Sequence, residues 1–450
     1  PAETWWCPAL RGYALHALQR YVEAEGAFRR ALAARDPEEA ERWTDPAILL
    51  GREGRARVSG RVEAAWWEGA GFWEMADPLF LVPGNDRWTE HLARQVLARI
   101  RDGAVNPYGL RWGDDLTEAL VRFGPEAGWE RVRPGPADRG AAPGAVGQHH
   151  PESRGHLPPA AALAGPGGTP PEAWNPAGRR NPAAVYAPAY APVVLPVPGP
   201  VLRFPRGDSL VLAARLELPP DTTWHRGHGH PTLPVPPAFR GLPPRVGLFA
   251  LRSGSLAAAD TAPGVSGSVR IALPPGEYLV SGEVWAPDSL RAGRVREGIT
   301  FTGFPPDLPT LSDLILAEAD GTDPATLEEA LPALRDAIPS GGDRFRVGWE
   351  VHGLGWHPET LEYALEVHRV GGGLLRRLGG LLGLGGAGER VELAWREEGP
   401  RAPGPHFRST EVELPTDAAP GDYRIRVTVR MPGREPLTAE RTARMGARLR

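Results

Sequence analysis

PPGEYLVSGEV, residues 274–284, and APGDYRIRVTV, residues 419–429, are two copies of one pattern. Each reads proline, glycine, acid, tyrosine, and then alternates along a strand. Pro-Gly makes the turn. Tyr278 or Tyr423 then enters the strand at a corner, where a tyrosine packs inward with its hydroxyl bonded to nearby backbone. Two such copies predict two related β-sandwiches.

The surroundings agree. From residue 201 the apolar period is 2: SLVLAARLEL, RVGLFALR, GSVRIAL, GEYLVSGEVWA and EGITFTG are strand-like runs divided by Pro/Gly/Asp turns. They predict a β-sandwich over 201–305. RFRVGWEVHGL, TLEYALEVHRV, RVELAWREE, STEVELP and GDYRIRVTVRM predict a second over 343–450. Between them, PTLSDLILAEA and DPATLEEALPALRDAI predict a helical connector over 306–342. Upstream, residues 134–200 are rich in proline and glycine and read as a linker without a core. Its end, AVYAPAYAPVVLPVPGP, reads as extended polyproline-like chain that docks on its own domain or binds a partner.

Before residue 134 the period is 3.6. Leu10, Ala14 and Leu18 share one helical face; Ala24, Phe28, Ala31 and Leu32 share the next, with Gln19, Arg20 and Tyr21 as the turn. This hairpin over 1–60 resembles a tetratricopeptide repeat, with Gly12, Tyr21, Ala24, Phe28 and Ala31 at the repeat's small and aromatic positions and Pro37 closing it. A single repeat cannot bury its face alone. Either further repeats precede Pro1, or the pair packs on the helical segment downstream of it. Residues 61–133 hold Val62, Trp66, Ala70 and Trp73 at helical spacing, then a Leu92–Val96–Ile100 stripe started by Asn85 or Asp86 and stopped by Gly103. Nine of the fifteen tryptophans lie before residue 130, which predicts one compact helical domain. Asp77–Pro78, Asn85, Trp112–Gly113–Asp114–Asp115 and Phe123–Gly124–Pro125 resemble the GWxTD domain of uncharacterised bacterial extracytoplasmic proteins over about residues 60–130. Arg111 and Asp114 depart from that motif's glycine and threonine. The resemblance implies an envelope location and no activity. The fold class expected is therefore multidomain α+β: a helical front, then two sandwiches of immunoglobulin/fibronectin-III type.

Composition narrows the chemistry. All 51 basic residues are arginine, as coding bias in a GC-rich genome produces. Without lysine there is no Schiff-base lysine and no phosphate-loop lysine, which argues against pyridoxal enzymes, kinases and P-loop ATPases. Cys7 is the lone cysteine, so intramolecular disulfides, cysteine–zinc sites and iron–sulfur clusters are excluded. A net charge of −4 with no long basic run argues against nucleic acid. No segment approaches the apolar length of a membrane span. The chain begins at Pro1, so any signal peptide is expected upstream.

Two histidine clusters invite a metal reading. WHRGHGH offers His225, His228 and His230; HHPESRGH offers His149, His150 and His156, with Glu152. Imidazole suits zinc, copper or nickel. A Gly/Pro loop, however, supplies neither a rigid frame nor partners that orient the rings, so polar loops are the competing reading. Glu68, Glu74, Asp77, Asp114 and Asp115 show no acid–nucleophile spacing, and the last two suit a helix start. GLGGAG at 383–388 lacks the strand–turn–helix context of a dinucleotide site. The longer stretch 371–388, with its leucines and paired arginines, is a candidate peripheral membrane or partner contact. Trp66, Trp73 and Trp112 are the candidate interaction surface. The expectation is a non-catalytic protein-binding or scaffold protein of the bacterial envelope, with an unknown protein partner and no cofactor. The alternative is a metal-dependent hydrolase built on the loops 149–156 and 225–230.

Overall fold

The computed structural model describes residues 4–50, 70–105, 109, 111–132, 144–149, 155–175, 183–220, 234–319, 321, 323–340, 342–370 and 390–446. The described part is mixed α+β, with helices first and strands after.

Helices α1 (Trp6–Ala17) and α2 (Tyr21–Ala33) form an antiparallel hairpin. Its turn puts Gln19 at φ 57. Gly12 is required at the crossing, because a Cβ there would lie 2.7 Å from the Phe28 ring. Helix α3 (Pro37–Thr44) starts on Asp36, whose carboxylate accepts from the Glu38 amide at 3.0 Å, with proline in the first turn. Helix α4 (Ala70–Ala76) is short. Helix α5 (Asp86–Arg101) begins at Asn85, whose side chain accepts from the Trp88 amide at 2.8 Å and donates to Trp73 O at 2.7 Å. It closes the hairpin: Leu92, Ala93 and Val96 pack with Trp5, Ala9, Leu15, Ala24 and Phe28 in one cluster. Of the predicted stripe, Leu92 and Val96 are buried and Ile100 is exposed. Helix α6 (Asp114–Phe123) and the hairpin β1 (Gly128–Val132)–β2 (Gly144–Gln148) complete this front.

The first sandwich sets a five-stranded sheet, in the order β3 (Val193–Pro196), β10 (Arg291–Phe301), β9 (Gly276–Ala286), β6 (Arg245–Arg252), β7 (Ser255–Pro263), against a three-stranded one, β4 (Leu202–Arg206), β5 (Ser209–Glu217), β8 (Ser266–Leu273). Leu210, Leu212, Ala214 and Leu216 of β5 meet Val246, Leu248, Val280 and Val284 in its core. The second pairs β11 (Thr310–Leu311), β15 (Arg344–Leu354), β12 (Ile315–Glu318), β13 (Leu334–Arg335) and β18 (Gly404–Glu413) with β14 (Ala337–Ile338), β20 (Leu437–Met445), β19 (Gly421–Arg430), β16 (Thr360–Arg369) and β17 (Arg390–Glu398).

Two expectations need correction. The segment 306–342 is largely strand, with β11 to β14 and only a single helical turn, α7 (Leu327–Ala330), followed by a short 3-10 turn. The run Leu314–Ala317 is buried along its whole length, because β12 has Ile315 on one core and Leu316 on another. A short apolar run of that kind has no period to tell helix from strand. The second correction concerns 134–200. Ala162, Trp174, Tyr190, Ala191 and Val194 are buried with Met75, Leu79, Phe249 and Trp285, and Val193–Pro196 pairs parallel to β10. Among its described residues this stretch is the layer that joins helices to sheet. A few large side chains among prolines suffice to anchor it, and periodicity does not register them.

The two tyrosines of the repeated element behave alike. Tyr278 and Tyr423 are fully buried, and their hydroxyls donate to Pro274 O and Ala419 O, each at 2.8 Å. Each lies in a strand paired on both sides: β9 between β10 and β6, β19 between β20 and β16. Tyr278→Phe keeps the ring and leaves Pro274 O short of one donor. It is expected to cost about 1 kcal/mol in a urea melt, and no change would show that the corner hydrogen bond contributes nothing.

The sandwiches share a wall. Leu202, Phe204, Val211 and Ala213, on the outer face of β4–β5, pack with Ile315, Leu327, Ala330, Leu331, Leu334 and Phe407. Arg206 adds a two-pronged ion pair to buried Glu350, at 2.6 and 3.0 Å. No described helix is long and apolar enough to cross a membrane.

Candidate functional site

The chemistry-bearing side chains gather where the helical front meets the first sandwich. The loop after α4 runs over β9 and β10. Asp77 accepts from the Leu79 amide at 3.0 Å, turning the chain at Pro78. Arg296 of β10 reaches up to donate to Met75 O at 2.9 Å and Asp77 O at 2.7 Å, and sideways to Ser281 Oγ at 3.0 Å. Arg294 donates to Pro78 O at 2.8 Å. Glu283 of β9 lies 3.5 Å from Arg296 and accepts from the Leu81 amide at 3.0 Å and Ser281 Oγ at 2.7 Å. Buried charges of this kind stand only when paired and hydrogen-bonded. Here the partners are mainly backbone groups of one loop.

The inner face of α5 carries a second network. Asp86 accepts from the Tyr186 hydroxyl and, at 3.2 Å, from that of Tyr190. Glu90 is held between His16 at 2.7 Å and Arg94 at 2.6 Å. Arg94 goes on to Val121 O and Arg122 O, at 3.1 and 3.2 Å, at the end of α6. Arg87 donates to Gly155 O at 3.1 Å and lies over the Tyr186 ring. His91 meets Trp43 O at 2.9 Å.

Electrostatics follow burial. Desolvation pushes the Asp86 carboxyl up to about 6 against the tyrosine hydrogen bonds. Asp77 is raised well above the usual carboxylate range by burial and by Asp86. Glu90 goes the other way: burial raises it, but Arg94 and His16 outweigh that and hold it well below. Burial lowers His91 to about 3, Arg87 to about 10 and Arg294 to about 9. Glu74 is driven up to about 7 by burial and by Glu25.

Glu74 gives a pH prediction. Its folded pKa lies above its unfolded value of 4.5. Between 4.5 and about 7 the folded chain therefore holds more protons than the unfolded chain, and stability falls as pH rises through that window. Glu74→Gln is expected to flatten this slope and to raise the melting temperature most at pH 8. Parallel pH profiles for the two proteins would show that Glu74 titrates normally.

The residues singled out from sequence do not form one site. His149 donates to or accepts from Gly124 O at 2.9 Å beside the Phe123 ring, while His156 is buried against Tyr186. His150, Glu152, His225, His228, His230, Trp66, Glu68 and the stretch 371–388 lie outside the described residues. Among the described residues no group of three or more His, Cys, Asp or Glu could hold a metal. Trp73 and Trp112, expected at a surface, are 5% and 8% exposed. Their indole N–H groups donate internally, to Thr44 O at 3.2 Å and Thr117 Oγ at 3.0 Å. The large rings supply core volume, so helical spacing alone placed them wrongly. Asp114 and Asp115 are exposed in the first turn of α6. Sequence reading missed Asp86, Glu283, Arg294, Arg296, Tyr186 and Tyr190. One signal was present: in RAGRVREG the arginines fall at alternate positions of a strand, two charges on one face.

Next to the junction an open cleft of about 500 Å³ lies between the α1–α2 turn, the 81–83 loop and residues 238–245. Tyr21, Val22, Leu81, Phe239, Leu242 and Trp285 make its apolar walls.

No protein-family model matches the chain, and no curated protein matches it. Solved structures superpose weakly. The PmoD soluble domain from Methylocystis sp. ATCC 49242 (Rockwell) is 17% identical over 30% of this chain and 89% of that one, with a TM-score of 0.17. Salmonella alpha-2-macroglobulin is 15% identical, over 55% of this chain and 16% of that one, at 0.17. A putative membrane anchored protein from Corynebacterium diphtheriae is 12% identical, over 56% and 58%, at 0.19. Likeness of this degree assigns neither fold nor function.

Proposed function

We propose that this chain is a non-catalytic interaction protein of the bacterial cell envelope. Its front is read as tetratricopeptide-like and GWxTD-like, and its two sandwiches as immunoglobulin- or fibronectin-III-like modules that carry the front. One observation supports the reading above others. The carboxylates with displaced pKa values are sealed: Asp77 and Asp86 are buried and spend their oxygens on a backbone amide and two tyrosines. Catalytic groups need access to a substrate. Here the charge is used to lock a helical layer onto a sheet, and the locked layer frames the open cleft. The envelope location rests on the GWxTD resemblance.

The test uses the full chain. Chemical crosslinking in a bacterial envelope fraction, followed by quantitative capture, is expected to retain a partner saturably and in fixed stoichiometry. Turnover of ester, peptide or phosphodiester reporters by purified chain, abolished by chelator or by replacing His225, His228 and His230, would overturn the non-catalytic reading.

A further inference from the structure

The cleft has a chemical bias that names its occupant, given the interaction reading just proposed. Its walls offer donors. Tyr21, Val22 and Glu23 are the first residues of α2, whose amides have no acceptor within the helix, and Arg20 at the cap makes no side-chain cap bond. The helix thus turns its positive end to the cleft. Trp285 on the wall is 3% exposed, and its indole N–H has no hydrogen-bond partner. Arg245 lines the opposite side and reaches only Thr261 Oγ, at 3.2 Å. The one wall carboxylate, Glu23, is already held by Arg20, Nε to Oε1 at 2.6 Å. The wall is aromatic: Phe239 lies 6.4 Å from Tyr21 and 5.7 Å from Trp285, centroid to centroid. Outside it, apolar surface continues over Leu18, Val22 and Leu242, at 59%, 58% and 40% exposure.

We infer that the cleft receives the C-terminal end of a partner polypeptide, with a bulky apolar last residue against Tyr21, Phe239 and Trp285 and its carboxylate toward the start of α2 and Arg245. An apolar well ringed by donors suits an apolar group that ends in an acceptor. The apolar rim continues past the well, which suits a chain rather than a small molecule.

The experiment is fluorescence anisotropy of the full chain with a dye-labelled decapeptide ending in Leu-Phe, as free acid and as carboxamide. The free acid is expected to bind, and the carboxamide to bind about tenfold more weakly. Arg245→Met, a surface change, and Trp285→Phe, which keeps a ring and removes the N–H, are each expected to weaken the acid several-fold and the amide less. Equal affinities for acid and amide, or no saturable binding of either, would overturn the inference. So would laurate displacing the peptide at concentrations below those at which the peptide itself binds. If Arg245→Met and Trp285→Phe capture the envelope partner as the unaltered chain does, the cleft assignment fails and the interaction reading stands. If the free acid binds but envelope capture fails, the reverse holds.

Discussion

Arg296→Met is expected to lower the unfolding free energy by about 3–5 kcal/mol, the cost of breaking a buried ion pair from one side. Methionine fills the stem's volume but makes none of the head's contacts. Met75 O and Asp77 O each lose a donor, Ser281 Oγ loses a partner, and the buried Glu283 carboxylate loses its cation. The guanidinium also lies 4.5 Å over the Phe80 ring. Its effect is expected first in the loop 75–81. Amide exchange there should quicken more than in β16 or β19 of the second sandwich. The companion change Glu283→Gln on the same background removes the stranded charge and is expected to recover part of the loss. A single Arg296→Met variant as stable as the unaltered chain would show that hydrophobic burial alone holds the front in place.

Gly298→Ala is the second large effect, and its cause is steric. A Cβ at 298 would lie 1.3 Å from Pro166 O and 2.3 Å from Pro166 C. Backbone cannot yield as a flexible side chain does, so the 160–175 segment must lift. Below Arg294 the edge of β10 is not paired by β3, whose register ends at that residue. Instead the Gly298 amide donates to Thr169 O at 2.8 Å, and Gly167 N donates to Glu277 Oε1 at 2.7 Å. The segment thus covers an edge that would otherwise be open to pairing. Lifting it uncovers that edge and withdraws Trp174 from its cluster. A loss of about 3 kcal/mol or more is expected, with new protease cleavage between residues 160 and 175. Cleavage resistance equal to that of the unaltered chain would mean the segment shifts without letting go.

Both effects depend on features that local pattern does not carry. The repeated Pro-Gly-acid-Tyr element is legible because a turn and its strand are contiguous, and both hydroxyls make the same bond. The helical hairpin is legible from period 3.6, and Gly12 from its need to pass Phe28. The ILAE strand reads wrongly as helix because a run buried on both faces has no period. Tyr186 and Tyr190 stand in extended chain whose sequence allows both docking and partner binding; their partner Asp86 is a hundred residues away in sequence. Arg294 and Arg296 are visible as charges but not as clamps, since their acceptors are carbonyls of a loop more than two hundred residues earlier. The cleft is assembled from four separate stretches, none of which is distinctive by itself.

The shared wall of β4 and β5 has a consequence for the birth of the chain. The strands of the first sandwich are complete once Phe301 has left the ribosome, yet the outer face of that wall waits for Leu327, Leu331, Leu334 and finally Phe407. At about 5–20 residues per second, the remaining hundred or so take about 5–20 s to emerge. Through that interval a nascent chain displays Leu202, Phe204, Val211 and Ala213 to the cytosol. A holdase that binds short apolar strands meets its target in that window and loses it when Phe407 arrives. The timing of synthesis, more than the finished fold, is where this protein is most exposed to misassembly.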